Sequence, residues 1–201
     1  MAFSAGFHPH PKISYAGAAP TGTASEAEYF EISVMERVDP DRVREALDEA
    51  LPEGLDIIEV VEAGPGALAD RLQASQWEIG FPRTDPDRVR AAVAALMAAD
   101  SAPVTRMFKN GPKTFDARAA IVDAQVGETE QNPDRYAILR LVVQHTTPVV
   151  RPDDILPALR SVADLESAAS PVVTRRAQGL LQRAPAGVAD PLAADKDAAG
   201  S

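Results

Sequence analysis

The chain has 201 residues, 45% hydrophobic and 25% charged, the balance of a globular protein of one or two domains. It has no cysteine, which excludes disulfides, thiolate-held zinc or iron–sulfur clusters, and thiol catalysis. A net charge of −10 argues against a cation-coated surface for bulk nucleic-acid binding, and no run of roughly 18 apolar residues is present to span a bilayer.

Residues 1–19 lack a charged start followed by an apolar run, so they do not read as a signal peptide, and a cytoplasmic location is expected. Residues 4–12 read Ser-Ala-Gly-Phe-His-Pro-His-Pro-Lys. Pro9 and Pro11 hold this segment extended. His8 and His10 are two ligands where a metal site needs three or four, so no metal is expected. The segment reads as a recognition loop, with Ser4, Gly6, Phe7, His8, His10 and Lys12 as candidate binding residues, or as a plain structural loop. Lys12 to Ala16 suits a strand. Gly22 permits a tight turn, and Ser25 with Glu28 has the spacing of a capping box. No base is marked as a partner for Ser25, and the Gly spacing is not that of a phosphate-binding loop.

Tyr29 to Val34 alternates with the period of a strand. Residues 39–44 then read Asp-Pro-Asp-Arg-Val-Arg, and residues 85–90 repeat the same six letters. Each opens a helix: the first Asp caps, Pro suits the first helical position, and the second Asp faces the positive end of the helix dipole. Pro52-Glu53-Gly54 ends the first helix, and Leu55 to Val61 is predicted as a strand. Strands are predicted before and after the second helix at Gln76 to Phe81 and Val104 to Phe108. Lys109 to Lys113 is a turn, Thr114 to Gln125 a further strand or hairpin, and Glu128 to Asp134 an exposed loop. A looser version of the helix opening, Val150 to Asp154, lies between strands at Tyr136 to His145 and Val172 to Arg176. The tail after Ala184 is small and polar, and is predicted to be disordered.

Three strand–helix–strand units follow, at 28–62, 75–108 and 136–177. Two such units make a split βαβ sandwich. The predicted fold is α+β, with tandem ferredoxin-like (split βαβ) units of which the first is incomplete. Residues 1–66 form the incomplete unit, 72–183 a complete one, and 184–201 the tail.

Charge is uneven along the chain. Residues 26–65 hold thirteen Asp or Glu against three Arg. Residues 105–118 instead gather Arg106, Lys109, Lys113 and Arg118 around Asp116, with two phenylalanines. That cluster suits phosphate, RNA backbone or an acidic protein surface, and equally a hairpin with solvated charges in which Asp116 pairs with Arg118 or Lys113. Arg175 and Arg176 point to opposite faces of a strand, so at least one faces solvent.

These segments together resemble the radical-SAM-linked protein family. The resemblance rests on Phe3 to Ala16 (Phe-Ser-Ala-Gly-Phe-His-Pro-His-Pro-Lys-Ile-Ser-Tyr-Ala), Gly22, Ser25-Glu26, Glu28-Tyr29, Leu51 to Leu55, Lys109 to Arg118, and Arg175 with Gln178-Gly179. It covers most of residues 1–183 and implies a protein encoded beside, or fused to, a cobalamin-binding type of radical SAM protein. Members carry a further basic strand and helix ahead of this point, so Met1 is expected to stand at an internal position of the family pattern. The expected function is that of an accessory protein, without cofactor or catalytic centre of its own, pairing with a radical SAM enzyme. The alternative is a stand-alone RNA-binding module using the basic 105–118 hairpin.

Overall fold

The computed structural model describes residues 1–3, 10–128 and 136–199, a mixed α+β protein. In chain order its elements are β1 (Ile13–Ala16), β2 (Ala24–Ser25), β3 (Tyr29–Ile32), α1 (Pro40–Ala50), α2 (Leu68–Arg71), β4 (Ala74–Phe81), α3 (Pro86–Ala98), β5 (Pro103–Phe108) and β6 (Gly111–Asp116). After a short 3-10 turn come β7 (Ile121–Glu128), β8 (Ala137–Gln144), α4 (Pro152–Ala163), β9 (Val172–Arg183), β10 (Ala186–Ala189) and α5 (Ala193–Ala199). The chain divides into two compact units. One holds Met1–Ala18, Glu28–Asp70 and Asp190–Ser201; the other holds Ala19–Ala27 and Arg71–Ala189.

The larger unit is organised by strand periodicity. Its sheet runs β10-β9-β4-β8-β7, antiparallel throughout, with β2 added parallel to β9. Alternate residues of the two central strands, Trp77, Ile79 and Phe81 with Leu139, Leu141 and Val143, share one core. Val89, Val93 and Leu96 of α3 and Ile155 and Leu159 of α4 complete it. Each fully buried side chain of this size contributes roughly 1.5–3 kcal/mol, an upper figure for an extended unfolded chain.

Both repeated motifs open helices as their sequence predicts. Asp39 accepts the Asp41 N–H at 3.0 Å and Asp85 the Asp87 N–H at 2.9 Å, with proline at the first position of each helix. The helices then diverge. Ala91 to Leu96 gives α3 an apolar face that buries Val89, Ala92, Val93 and Leu96, whereas α1 continues through Glu45, Asp48 and Glu49 and buries no residue. At the third opening the Asp154 carboxylate accepts the Arg151 N–H at 2.8 Å.

Three expectations are corrected. Leu55 to Val61 forms no strand: its residues stay exposed or half-exposed, and Asp48 of α1 accepts the Ile57 N–H instead of a neighbouring strand. The segment over 104–108 is a strand but stays out of the main sheet, pairing with β6 as a separate hairpin. The place beside β8 is held by β7, whose Ile121, Ala124 and Val126 supply the inward residues. The tail carries two elements. β10 folds back on the end of β9. Asp190 then caps the next turn through the Leu192 N–H at 2.8 Å, and the carboxylate of Asp195 in α5 accepts the Gly64 N–H at 3.1 Å. Lys196 joins Asp190 at 2.6 Å and Glu59 at 2.5 Å, and both anions push its ammonium pKa up. Small polar composition hid these specific hydrogen bonds.

In the smaller unit β1 and β3 form a two-stranded sheet, and the chain around Ala2 and Lys12 continues that pairing through bonds with Ser33.

Candidate functional site

The basic hairpin is the best-defined candidate. Its register pairs Val104 with Phe115, Arg106 with Lys113 and Phe108 with Gly111, so these six share one face. Thr105, Met107, Pro112 and Thr114 occupy the other, with the Thr105 and Thr114 hydroxyls 2.8 Å apart. The turn at Lys109-Asn110 closes because Gly111 adopts a φ of 102°, a conformation any side chain would strain.

Arg106 is half-buried and held by several partners. Its guanidinium donates to Asp154 at 2.6 Å and to the Val149 carbonyl at 3.0 Å, and lies 4.7 and 5.1 Å from the ring centroids of Phe108 and Phe115. Asp154 is buried at the N-terminus of α4. Burial pushes its carboxyl pKa up, against the pull of the Arg151 N–H and the charges of Arg106 and Arg151. Arg118 is also built in, donating to the Met97 and Ile121 carbonyls, both at 3.1 Å. The expected pairing of Asp116 with a cation is corrected. Its carboxylate accepts the Ala102 N–H at 2.8 Å and the Arg118 backbone N–H at 2.9 Å, closing the base of the hairpin. Lys109 and Lys113 are exposed, Lys113 with its ammonium 5.4 Å from the Phe108 ring. Met107 is 74% exposed. Two of the four cations therefore face solvent while two hold the fold.

A second polar group gathers where β2, β4 and β9 meet. Arg175 is buried, its Nε donating to Ser25 Oγ at 3.2 Å and its Nη1 to Gln178 Oε1 at 3.3 Å, with Trp77 beneath it. Gln178 passes the contact on to the Ala27 carbonyl at 2.6 Å. Ser25 is thus an acceptor for arginine in a strand, and the capping-box reading of Ser25 with Glu28 is corrected: no helix begins there, and the Ala27 N–H bonds Ser25 Oγ at 3.3 Å. Arg176 sits at a strand irregularity and faces outward as the strand rule requires. It and Arg140 grip Glu78, at 2.7 and 2.9 Å. Burial alone would raise Glu78, but these two guanidiniums hold its carboxyl below the usual range.

Sequence reasoning missed His145. Its Nδ1 lies 2.6 Å from the Leu72 carbonyl, which can only accept, so Nδ1 carries the proton and Nε2 accepts from Ser75 Oγ at 2.7 Å. Burial pushes the imidazole pKa down; the Leu72 bond opposes this and the charge of Arg175 adds to it. The contact is that of a nucleophile and its base. Ser75, however, is 1% exposed, so no substrate atom can reach its oxygen. The pair ties the start of β4 to the end of β8.

His10 and Lys12 are exposed ahead of β1, and Glu28 is exposed ahead of β3. Ser4, Gly6, Phe7 and His8 lie outside the described residues, as does most of the expected 128–134 loop. A cavity of about 390 Å³ lies between α4 and residues 165–171, floored by Phe81, Leu159 and Leu165 and edged by Arg160 and Glu166. No sequence-predicted site residue lines it. Among the described residues no three His, Asp or Glu converge as metal ligands, and no helix is long and apolar enough to cross a membrane.

A family described as "Uncharacterized protein conserved in bacteria (DUF2344)" matches residues 1–152. The chain belongs to DUF2344. No curated protein matches the sequence. The DUF2344 match takes in the N-terminal segment, the hairpin and the Ser75–His145 pair, and stops at the first residue of α4; Arg175 lies beyond it.

Proposed function

We propose that this DUF2344 chain is a cytoplasmic accessory protein that binds a radical SAM enzyme and has no catalytic centre of its own. The observation that carries this reading is where the family-like segments lie. His10, Lys12 and Tyr15, Gly22, Glu26 and Glu28, Glu53 to Leu55, and Lys109 with Lys113 are all exposed. Ala16, Ala117, Arg175 and Gln178 of the same segments are buried, so the support comes from the exposed positions, whose surface distribution suits recognition. The larger unit reads as a ferredoxin-like sandwich, with the strand order β9-β4-β8-β7 in support. The test is co-purification of the full chain with the neighbouring radical SAM protein. A stoichiometric complex is expected, and the absence of any association counts against the reading.

The second reading is RNA binding by the hairpin, favoured by the exposed Lys109 and Lys113 beside Phe108. Its cation supply is half of what the sequence suggests, because Arg106 and Arg118 are engaged internally.

A further inference from the structure

The end of α4 builds a cavity with a charged rim. Asp164 caps the helix in the left-handed conformation, with a φ of 50°, and donates its N–H to the Arg160 carbonyl at 2.9 Å. A non-glycine residue in that conformation is uncommon. Here it turns the chain off the helix so that Leu165 enters the core. The loop that follows is pinned by Ser167, whose Oγ donates to the Ala169 carbonyl and lies 3.4 Å from Thr84 Oγ1. The cavity between this loop and α4, about 390 Å³, falls in the range of small-molecule pockets. Its apolar lining is part of the core: Phe81, Leu159 and Leu165 are buried, and Leu156 packs against the same cluster.

Two opposite charges share the rim. Arg160, in the last turn of α4, and Glu166, in the loop, both line the cavity and are both exposed. Neither forms an ion pair with the other or with any further residue among those described. By contrast, Arg140 and Arg176 of the same unit both pair with Glu78. An apolar anion would meet Glu166 at the rim, and an apolar cation would meet Arg160. A molecule with both charges and an apolar body complements the two side chains and the floor together. We infer that this cavity binds a free apolar α-amino acid. Its carboxylate pairs with Arg160 and its ammonium with Glu166, and its side chain lies against Phe81, Leu156, Leu159 and Leu165. Such a site uses no residue of the basic hairpin and needs no enzyme partner.

The test is titration of the isotope-labelled full chain with L-leucine or L-methionine, followed through its amide NMR signals. Saturable shifts are expected at the end of α4 and in residues 164–171. Isocaproate is leucine without its ammonium, and isoamylamine is leucine without its carboxylate; each should bind about tenfold more weakly than L-leucine. Arg160→Ala and Glu166→Gln alter exposed side chains, and each should lower the affinity for L-leucine by about tenfold. The absence of saturable shifts with both amino acids overturns the inference, as do shifts centred elsewhere in the chain. Isocaproate or isoamylamine binding as tightly as L-leucine also overturns it, and so does an unchanged affinity in either variant.

Discussion

Arg106→Met tests whether the hairpin is held from within. The substitution keeps most of the apolar stem but removes the guanidinium from Asp154, whose side chain is 5% exposed against 21% for Arg106. Asp154 would keep the Arg151 N–H but lose its countercharge. Breaking a buried ion pair costs roughly 3–5 kcal/mol, whereas an exposed one is worth roughly 0–1. The partial exposure of Arg106 sets the expected loss near the lower end of the buried range, about 3 kcal/mol, with the stacking on Phe108 and Phe115 included. Urea unfolding can follow it through Trp77, the single tryptophan, which sits in the core of the larger unit. At an m-value of about 2 kcal/mol/M the midpoint should fall by about 1.5 M. Asp154→Asn keeps an acceptor for Arg151, so a double-mutant cycle with Arg106→Met isolates the charge coupling, expected at about 2 kcal/mol. Burial already raises the Asp154 carboxyl, and losing Arg106 raises it further. An acid raised in the folded state binds protons there more readily than in the unfolded chain. Its penalty therefore grows as pH rises from the ordinary carboxylate value through the folded one. The Arg106→Met deficit should shrink on acidification. A loss under about 1 kcal/mol, independent of pH, would place Arg106 among solvated surface charges and refute the reasoning.

The depressed imidazole of His145 makes a second prediction. Its unfolded form binds the proton first, so stability should be level above about pH 6.5 and fall by up to about 1.4 kcal/mol per unit below it. His145→Asn should flatten that slope between pH 5 and 6.5 in unfolding curves; an unchanged slope assigns it to other groups. Arg175→Met should leave Gln178 Oε1 buried without its donor and cost about 1–3 kcal/mol by urea unfolding. Arg175→Lys should not restore this, since one ammonium cannot reproduce the fork, and full rescue would show that charge alone matters. For RNA, two phosphate contacts predict an affinity loss of about sevenfold between about 50 and 200 mM salt, against about fiftyfold for four. A fiftyfold loss, unchanged by Lys109→Ala with Lys113→Ala, would refute the assignment of the exposed cations to these two residues.

The elements legible in the sequence were those with local signals. The repeated Asp-Pro-Asp-Arg-Val-Arg placed two helix starts because capping and the proline position are decided within one turn. Strand-like sequence ahead of the second and third helix openings placed the two central strands at Gln76 to Phe81 and Tyr136 to His145. Sheet membership was not legible. Val104 to Phe108 has strand sequence in either setting; in the structure β7, with Ile121, Ala124 and Val126, holds the place beside β8, and Val104 to Phe108 pairs with β6. Leu55 to Val61 has the β-branched residues of a strand but pairs with no strand among the described residues, and propensity without pairing leaves it irregular.

The site residues divide along the same line. Counting Arg106, Lys109, Lys113 and Arg118 as one basic cluster treats charge as a property of a stretch, whereas a hairpin sorts it by face. Arg106 lies two residues from both Val104 and Phe108, so strand periodicity alone puts it on their apolar face. An inward arginine must then find an acceptor, which the N-terminus of α4 supplies in Asp154, a residue far off in sequence. For Arg175 and Arg176 the period gave opposite faces but not which was which. Trp77 lies opposite Arg175 across the sheet, and that cross-strand partner decides it. Charge patterns thus become site predictions only after each cation has a face, and the face depends on pairing that a local stretch does not encode.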